Sequence, residues 1–551
     1  MKPIVFPFTE KPYQELVDAK LAQRESKIPA EWKIEVDLSP VNLLHVPSTC
    51  GLLSARELEI TDNYDSVGLL TEIAKGTYTS KEVTIAFCKR AAIAQQCLNC
   101  LTEIFFDRAI ERAEWLDAEF ARTGETVGPL HGLPISLKDS MSVAGEDSVV
   151  GIAAYCFQPE KENSVVVDIL LKLGAVMYVK TNVPQSMMVP DTDNNVFGIT
   201  RNPIQKELTA SGSSGGLAAL IKFRGSLLGI GTDVGGSIRV PAYTHGVYSI
   251  KPSSGRVPYH NVKGYLEPGA ETAGILCVNA PMAVSVRDLE FVMKCMSDAE
   301  PWLYDPSCQY LPWIEPKPLE RKLAIGVIRF DTEVQTLPPI ARVLDETVEK
   351  LKAAGHDIVE LELYLAPEIS ENAVNHFKVD GGAFLLSQLA ITGEPLTVAN
   401  QNGGLYPDIK RGLSDFYAYC STRAELQLAW LKYWEATAGK TKSGLPVDAL
   451  LLPIQSFPPR PEGFMIRSHF SRTWNNLDYP GLIFQAGKVD FTKDDKEMPP
   501  PLNDMDARAQ STWAKGVRER LDGFPIALQL VGQRQMEPKL FQTMNEINRV
   551  L

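Results

Sequence analysis

The chain has 551 residues, 44% of them hydrophobic, enough to bury a large core. It carries 55 Lys and Arg against 68 Asp and Glu, a net charge of −13; without a basic block such a chain suits neither nucleic acid nor an anionic membrane, and its expected partner is a small molecule. The 9 cysteines stand at irregular spacings that do not read as a disulfide framework, and no apolar run reaches the length of a membrane span.

Met1–Phe8 is too short and too proline-broken for a signal peptide, and no Asn-x-Ser/Thr sequon occurs, so the expected location is the cytoplasm. Charged and apolar residues alternate at helical spacing from about Lys11 to Glu25, predicting a lead-in helix before Ile28-Pro-Ala-Glu-Trp32. A second helical stretch is expected from about Ser66 to Arg90, with Thr79 and Ser80 as N-caps, and an amphipathic helix near Asp107–Phe120. Cys97 and Cys100 form one Cys-x-x-Cys with no second pair or nearby histidine to complete a zinc site; they read as reduced thiols on a buried helix, and no metal is expected.

From there one module recurs in kind. Ser164–Leu173 reads as a helix stopped by Gly174 and followed by a strand over Ala175–Lys180. Gly216–Phe223 with Leu227–Gly231, and Ile340–Ala354 with Asp357–Leu361, repeat the pattern; Lys322–Ile328 adds a strand. Helix, glycine stop and β-branched strand are the grammar of an α/β sheet with helices on its faces. Residues 365–480 are less regular and carry Phe416, Tyr417, Tyr419, Trp430, Tyr433 and Trp434; they read as an elaboration packed on the sheet that could wall a pocket. Phe524–Val531 is a late strand. No internal repeat or separating linker is visible.

The chemistry gathers in two serine-glycine clusters, Ser211-Gly-Ser-Ser-Gly-Gly216 and Gly231-Thr-Asp-Val-Gly-Gly-Ser-Ile-Arg239, preceded by His131-Gly-Leu-Pro-Ile-Ser-Leu-Lys-Asp139. In Val234-Gly-Gly-Ser237 two glycines let successive backbone N–H groups converge on one oxygen, as an oxyanion hole requires, with Ser237 at the loop's end to attack. A serine hydroxyl needs a base. No histidine flanks Ser237 in a triad setting, His245 reads as structural, and Ser237 does not sit in a Gly-x-Ser-x-Gly elbow. Lys138 can serve if it is buried. Its apolar lead-in Leu133–Leu137 fits a buried strand, and burial must lower its pKa by about 3, worth about 4 kcal/mol. The loops' other reading, a non-catalytic phosphate- or nucleotide-binding module, is distant: Gly229, Gly231 and Gly235 match Gly-x-Gly-x-x-Gly poorly, and no Gly-x-x-x-x-Gly-Lys-Ser/Thr occurs.

Together with Thr181-Asn-Val-Pro184 and Lys251-Pro252, these motifs resemble the amidase signature family. The likeness covers about residues 60 to 300 and returns at Phe524–Gly532; Ile28–Trp32 and Trp474–Tyr479 are similar to its acetamidase-type fungal branch. The resemblance implies an α/β fold, a single large domain with a mixed β-sheet sandwiched between α-helices. Residues 1–60 would be a helical lead-in and residues 61–551 the amidase domain, with the catalytic core at about 130–260. It further implies Lys138 as base, Ser213 (after a cis Gly212–Ser213 bond) as bridging serine and Ser237 as nucleophile. Oxyanion donors fall at Val234, Gly235, Gly236 and Ser237, Met187 lies beside the substrate, and Ser214, Asp233 and Arg239 support the site, the last two as a buried pair. Two positions depart from the family: Gly is usual where Ser211 stands, and Glu where Leu217 stands. The implied reaction is hydrolysis of a carboxylic amide to acid and ammonia or amine through an acyl-serine, with no metal or organic cofactor. The alternative is an amidotransferase subunit that frees ammonia from glutamine for a partner enzyme. The sequence leaves the amide open (aliphatic, aryl, fatty or indole acetamide), and leaves oligomeric state open too, a homodimer being compatible with it.

Overall fold

The computed structural model describes residues 12–551 except 265, 404, 405 and 465, so the expectations for Met1–Phe8 and Lys11 lie outside the described residues. Its centre is one sheet of 11 strands. In chain order these are β1 Leu101–Ile104, β2 Pro134–Lys138, β3 Val176–Thr181, β4 Leu228–Asp233, β5 Tyr248–Lys251 and β6 Val278–Ala283. The second half supplies β7 Ala324–Ile328, β8 Asp357–Leu361, β9 Ala449–Leu452, β10 Gly481–Lys488 and β11 Pro525–Val531. The spatial order is β1-β3-β2-β4-β6-β5-β10-β11-β9-β7-β8. β2 runs parallel to β3 and β4, and β7 parallel to β8 and β9. The other neighbours are antiparallel, so the sheet is mixed, and helices flank it as expected.

The three helix–strand modules form close to their expected bounds, with helices Val165–Lys172, Gly215–Lys222 and Pro338–Ala353 leading into β3, β4 and β8. The stretch expected from Ser66 to Arg90 is instead two helices, Ser66–Ala74 and Ser80–Leu98. A new helix starts because Thr79 and Glu82 close a reciprocal capping box that satisfies free N-terminal N–H groups. The Cys-x-x-Cys is divided as well: Cys97 lies in the last turn of the second helix, Asn99 turns left-handed at φ 52°, and Cys100 lies beyond the helix.

Residues 365–480 do more than decorate the sheet. They contribute β9, a central strand between β11 and β7. All four of its residues are buried, so it carries no alternation to betray it. Trp430 and Trp434 pack with Trp474 and Tyr479 in the core, whereas Tyr417 is exposed and Phe416 faces a cavity described below. At the other end, the lead-in helix Tyr13–Ser26 docks at the β1 edge. Lys20 reaches Glu103 at 2.6 Å and Asp147 at 2.7 Å, and Arg24 Nη1 donates to the Leu101 carbonyl at 2.9 Å. Among the described residues no helix is long and apolar enough to cross a membrane.

Candidate active site

Lys138 closes β2, which lies between two parallel strands and is buried at all five positions. Its Nζ is 2.7 Å from Ser213 Oγ and 2.7 Å from Thr232 Oγ1, and the side chain is fully buried. Burial pushes the amine down to about 8, against weaker upward pulls from Cys277, Asp233 and Asp139. The strand register accounts for the second contact. Ser136 faces Gly229 and Leu137 faces Ile230, so β4 continues beside Lys138 and brings Thr232 within reach. Asp139, next in the chain, is spent on structure: it accepts from Thr102 Oγ1 and from the Val150 N–H, each at 2.6 Å.

Ser213 follows a Gly212–Ser213 peptide bond that is cis. The loop before it is tied down from three sides. Thr192 Oγ1 donates to the Ser211 carbonyl at 2.6 Å, the Ser211 N–H donates to Thr209 Oγ1 at 2.8 Å, and Thr209 Oγ1 donates to Asp191 at 2.7 Å. Ser211, one of the two departures noted above, has φ 58°, in the left-handed region that favours glycine. After Ser214, Gly216 lies so close to its neighbours that an added Cβ would stand 2.5 Å from the Asn182 nitrogen and 2.7 Å from the Cys100 carbonyl oxygen. Leu217, the other departure, is fully buried and packs over β4 with Ile221 and Ile238.

The loop Val234–Ser237 leaves the end of β4. Gly236 has φ 119°, and a Cβ there would meet Ser471 and Val240 at 3.0 Å. Asp233 organises this turn. It accepts from the Gly236 N–H at 2.8 Å and forms a fully buried ion pair with Arg239 at 3.0 Å. Burial alone would raise its carboxyl, but Arg239 and Asn475 hold it at about 2. The Gly236 N–H is therefore engaged, while those of Val234, Gly235 and Ser237 have no hydrogen-bond partner among the described residues and remain available to an oxyanion. Arg239 donates onward to Gln529 at 2.8 Å and Asn475 at 2.6 Å. The segments around residues 475 and 529 thus clamp the turn that presents Ser237. His245 takes no part: it is buried in the helix Arg239–His245 with Nδ1 on the Pro241 carbonyl, and burial holds it at about 3.

Ser213, Thr232 and Ser237 all line one cavity of about 400 Å³. Its walls are mainly apolar, from Met187, Ile275, Phe377 and Phe416, and Tyr259 and Cys277 lie near the lysine end. Ser186 and Met187 have φ 69° and 60°, a turn that aims Met187 into the space. That turn is held from the 365–480 region. Asn400 Nδ2 donates to the Gln185 carbonyl at 3.0 Å, and Gln185 Nε2 donates to Glu394 at 2.6 Å. Sequence reasoning missed Thr232, Tyr259, Cys277 and Phe377. Only Thr232 left a signal, since it sits within the second cluster on the strand that ends at Asp233. Among the described residues no group of three or more His, Cys, Asp or Glu side chains is placed to hold a metal ion.

A family model described as Amidase matches residues 82–541. The chain is 36% identical to an amidase of Gibberella moniliformis over 544 residues, 96% of this chain and 97% of that protein. It is 35% identical to an acetamidase of Emericella nidulans over 550 residues, 98% of each. Its structure superposes on a fatty acid amide hydrolase with a TM-score of 0.91 at 30% identity, covering 98% of this chain and 95% of that one.

Proposed function

This chain belongs to the amidase family, and on that premise we propose that it cleaves a carboxylic amide through an acyl-serine, with Lys138, Ser213 and Ser237 as the working set. The observation that carries the reading is a fully buried amine, lowered to about 8, standing 2.7 Å from Ser213 Oγ beside the cavity that Ser213 shares with Ser237. In its neutral form the Lys138 amine accepts the Ser213 proton, and Ser213 accepts that of Ser237 as its Oγ attacks the carbonyl carbon. The N–H groups of Val234, Gly235 and Ser237 stabilise the charge that develops on the carbonyl oxygen. Ser213 then returns the proton to the leaving nitrogen, and water, deprotonated along the same path, releases the acid. The relatives named above support placing the chain in the acetamidase-type fungal branch.

Ser237→Ala is expected to abolish both amide turnover and labelling by a serine-directed fluorophosphonate. Lys138→Ala is expected to cut kcat/KM by about 10²–10⁴ in a folded protein. Turnover that survives in purified Ser237→Ala refutes the assignment.

A further inference from the structure

We propose that the acyl arm of the substrate ends in a carboxylate, bound by Arg472 and Arg467 in a second, smaller cavity beside Ser237. The proposal rests on the amide-hydrolase reading above and narrows its substrate.

The second cavity is about 140 Å³ and shares Met187, Met188, Val234, Ser237 and Phe377 with the larger one, so the two meet at the nucleophile. Their chemistry differs. Both have largely apolar walls, but the larger carries charges of both signs, Lys410 and Arg411 with Glu267, Glu271 and Asp380, whereas the smaller holds Arg467 and Arg472 with no Asp or Glu among its lining residues. Arg472 rises from the helix His469–Asn476 and is half-buried, and Arg467 is exposed just before that helix. Neither guanidinium has a hydrogen-bond or ion-pair partner among the described residues. Burial, reinforced by Arg467, pushes the Arg472 guanidinium down to about 10, so it stays charged at neutral pH. The opposing charge acting on it is Glu333, whose carboxylate faces His469 Nε2 at 3.5 Å. Other buried arginines of this acidic chain are matched: Arg239 with Asp233, Arg460 with Asp191, Arg256 with Glu537. An unmatched, partly desolvated guanidinium in a cavity carries a cost that a carboxylate relieves through two parallel N–H···O bonds.

Ser213 decides which arm of the amide enters here. It hands the proton to the leaving nitrogen, and it lines the larger cavity but not the smaller. Gly235 and Gly236, behind the carbonyl oxygen, line the smaller. The amine therefore leaves toward the larger cavity, and the acyl substituent points at Arg472. The substrate class is an N-alkyl or N-aryl half-amide of a short dicarboxylic acid.

The test compares kcat/KM for glutaric acid mono-p-nitroanilide with its uncharged counterpart valeryl p-nitroanilide. A third substrate, valeryl 4-aminobenzoate, carries its carboxylate on the amine arm instead. The wild-type enzyme is expected to favour the glutaryl compound over both by about tenfold or more, the scale of a charge-assisted hydrogen bond. Arg472→Met is expected to bring the glutaryl-to-valeryl ratio near unity, with Arg472→Lys intermediate. Where a variant does not fold, or no anilide is turned over, protection of wild-type Ser237 from fluorophosphonate by glutarate against valerate reads the same preference. Valeryl hydrolysis equal to or faster than glutaryl hydrolysis, or equal protection by the two acids, overturns this proposal and leaves amide hydrolysis standing. Failure of Ser237 to label at all counts against the hydrolase reading itself.

Discussion

Lys138→Met separates the burial of the lysine from its role in rate. Methionine keeps the apolar reach of the side chain and removes the amine. In the folded protein burial lowers that amine from 10.5 to about 8. Between those values the unfolded chain binds a proton that the folded chain does not. The folded pKa being the lower one, wild-type stability rises with pH across the window, and the full penalty applies below about pH 8. The whole gap corresponds to about 3 kcal/mol, of which about 2–3 kcal/mol falls between pH 7 and pH 10. Denaturant unfolding at those two pH values is expected to show the wild type gaining that much more than the variant. Lys251 is also buried and also lowered to about 8, but it is present in both proteins and cancels in the comparison. At pH 7 itself the net change is expected to be small. The variant escapes the desolvation penalty but leaves the Ser213 and Thr232 hydroxyls without the amine, at about 1–3 kcal/mol each. The same titration governs the wild-type rate, with kcat/KM falling to about a hundredth of its plateau by pH 6. Equal pH dependence of stability in the two proteins, or a flat rate between pH 6 and 9, refutes the buried-amine argument.

Asp233→Ala strands the fully buried Arg239 and is expected to cost about 3–5 kcal/mol in thermal or denaturant unfolding. Lys20→Met leaves Glu103 and Asp147 buried without their shared cation. A loss of similar size is expected, together with new cleavage near Tyr13–Ser26 under limited proteolysis, where wild type resists. Gly216→Ala drives a methyl group into the Asn182 and Cys100 backbone, and a loss of about 1–3 kcal/mol or more is expected from the same unfolding assays. Unchanged stability in this last variant refutes the close packing of that helix against the site.

The modules around Gly174 and Gly355, the cap at Thr79 and the lysine's apolar strand were legible because each depends on contiguous residues. The short, fully buried strands β1 and β9 were not, since burial on both faces erases the period-two pattern that marks a strand. The break at Gly76 was missed for a related reason: apolar spacing continues across it, and the Thr79–Glu82 cap had to be weighed above that periodicity. Among the candidate site residues, Lys138 and Ser237 stood out in their own motifs and Ser213 through the family resemblance, but the 2.7 Å approach of the Lys138 amine to Ser213 Oγ is visible only in the fold. Thr232 becomes a partner of Lys138 only through the pairing of β2 with β4. Asn475 and Gln529, from separate segments of the C-terminal third, converge on Arg239.

By itself the sequence determined which chemical groups exist and how each short segment folds, because hydroxyls, amines, glycine turns and helix caps act within a few residues. The tertiary structure alone decided what those groups feel. Only the packed sheet removes water from the Lys138 amine, leaves the Arg472 guanidinium without an ion-pair partner among the described residues and sets two cavities that share one serine. Desolvation and pairing are properties of neighbours brought together across hundreds of residues, and no local pattern records them.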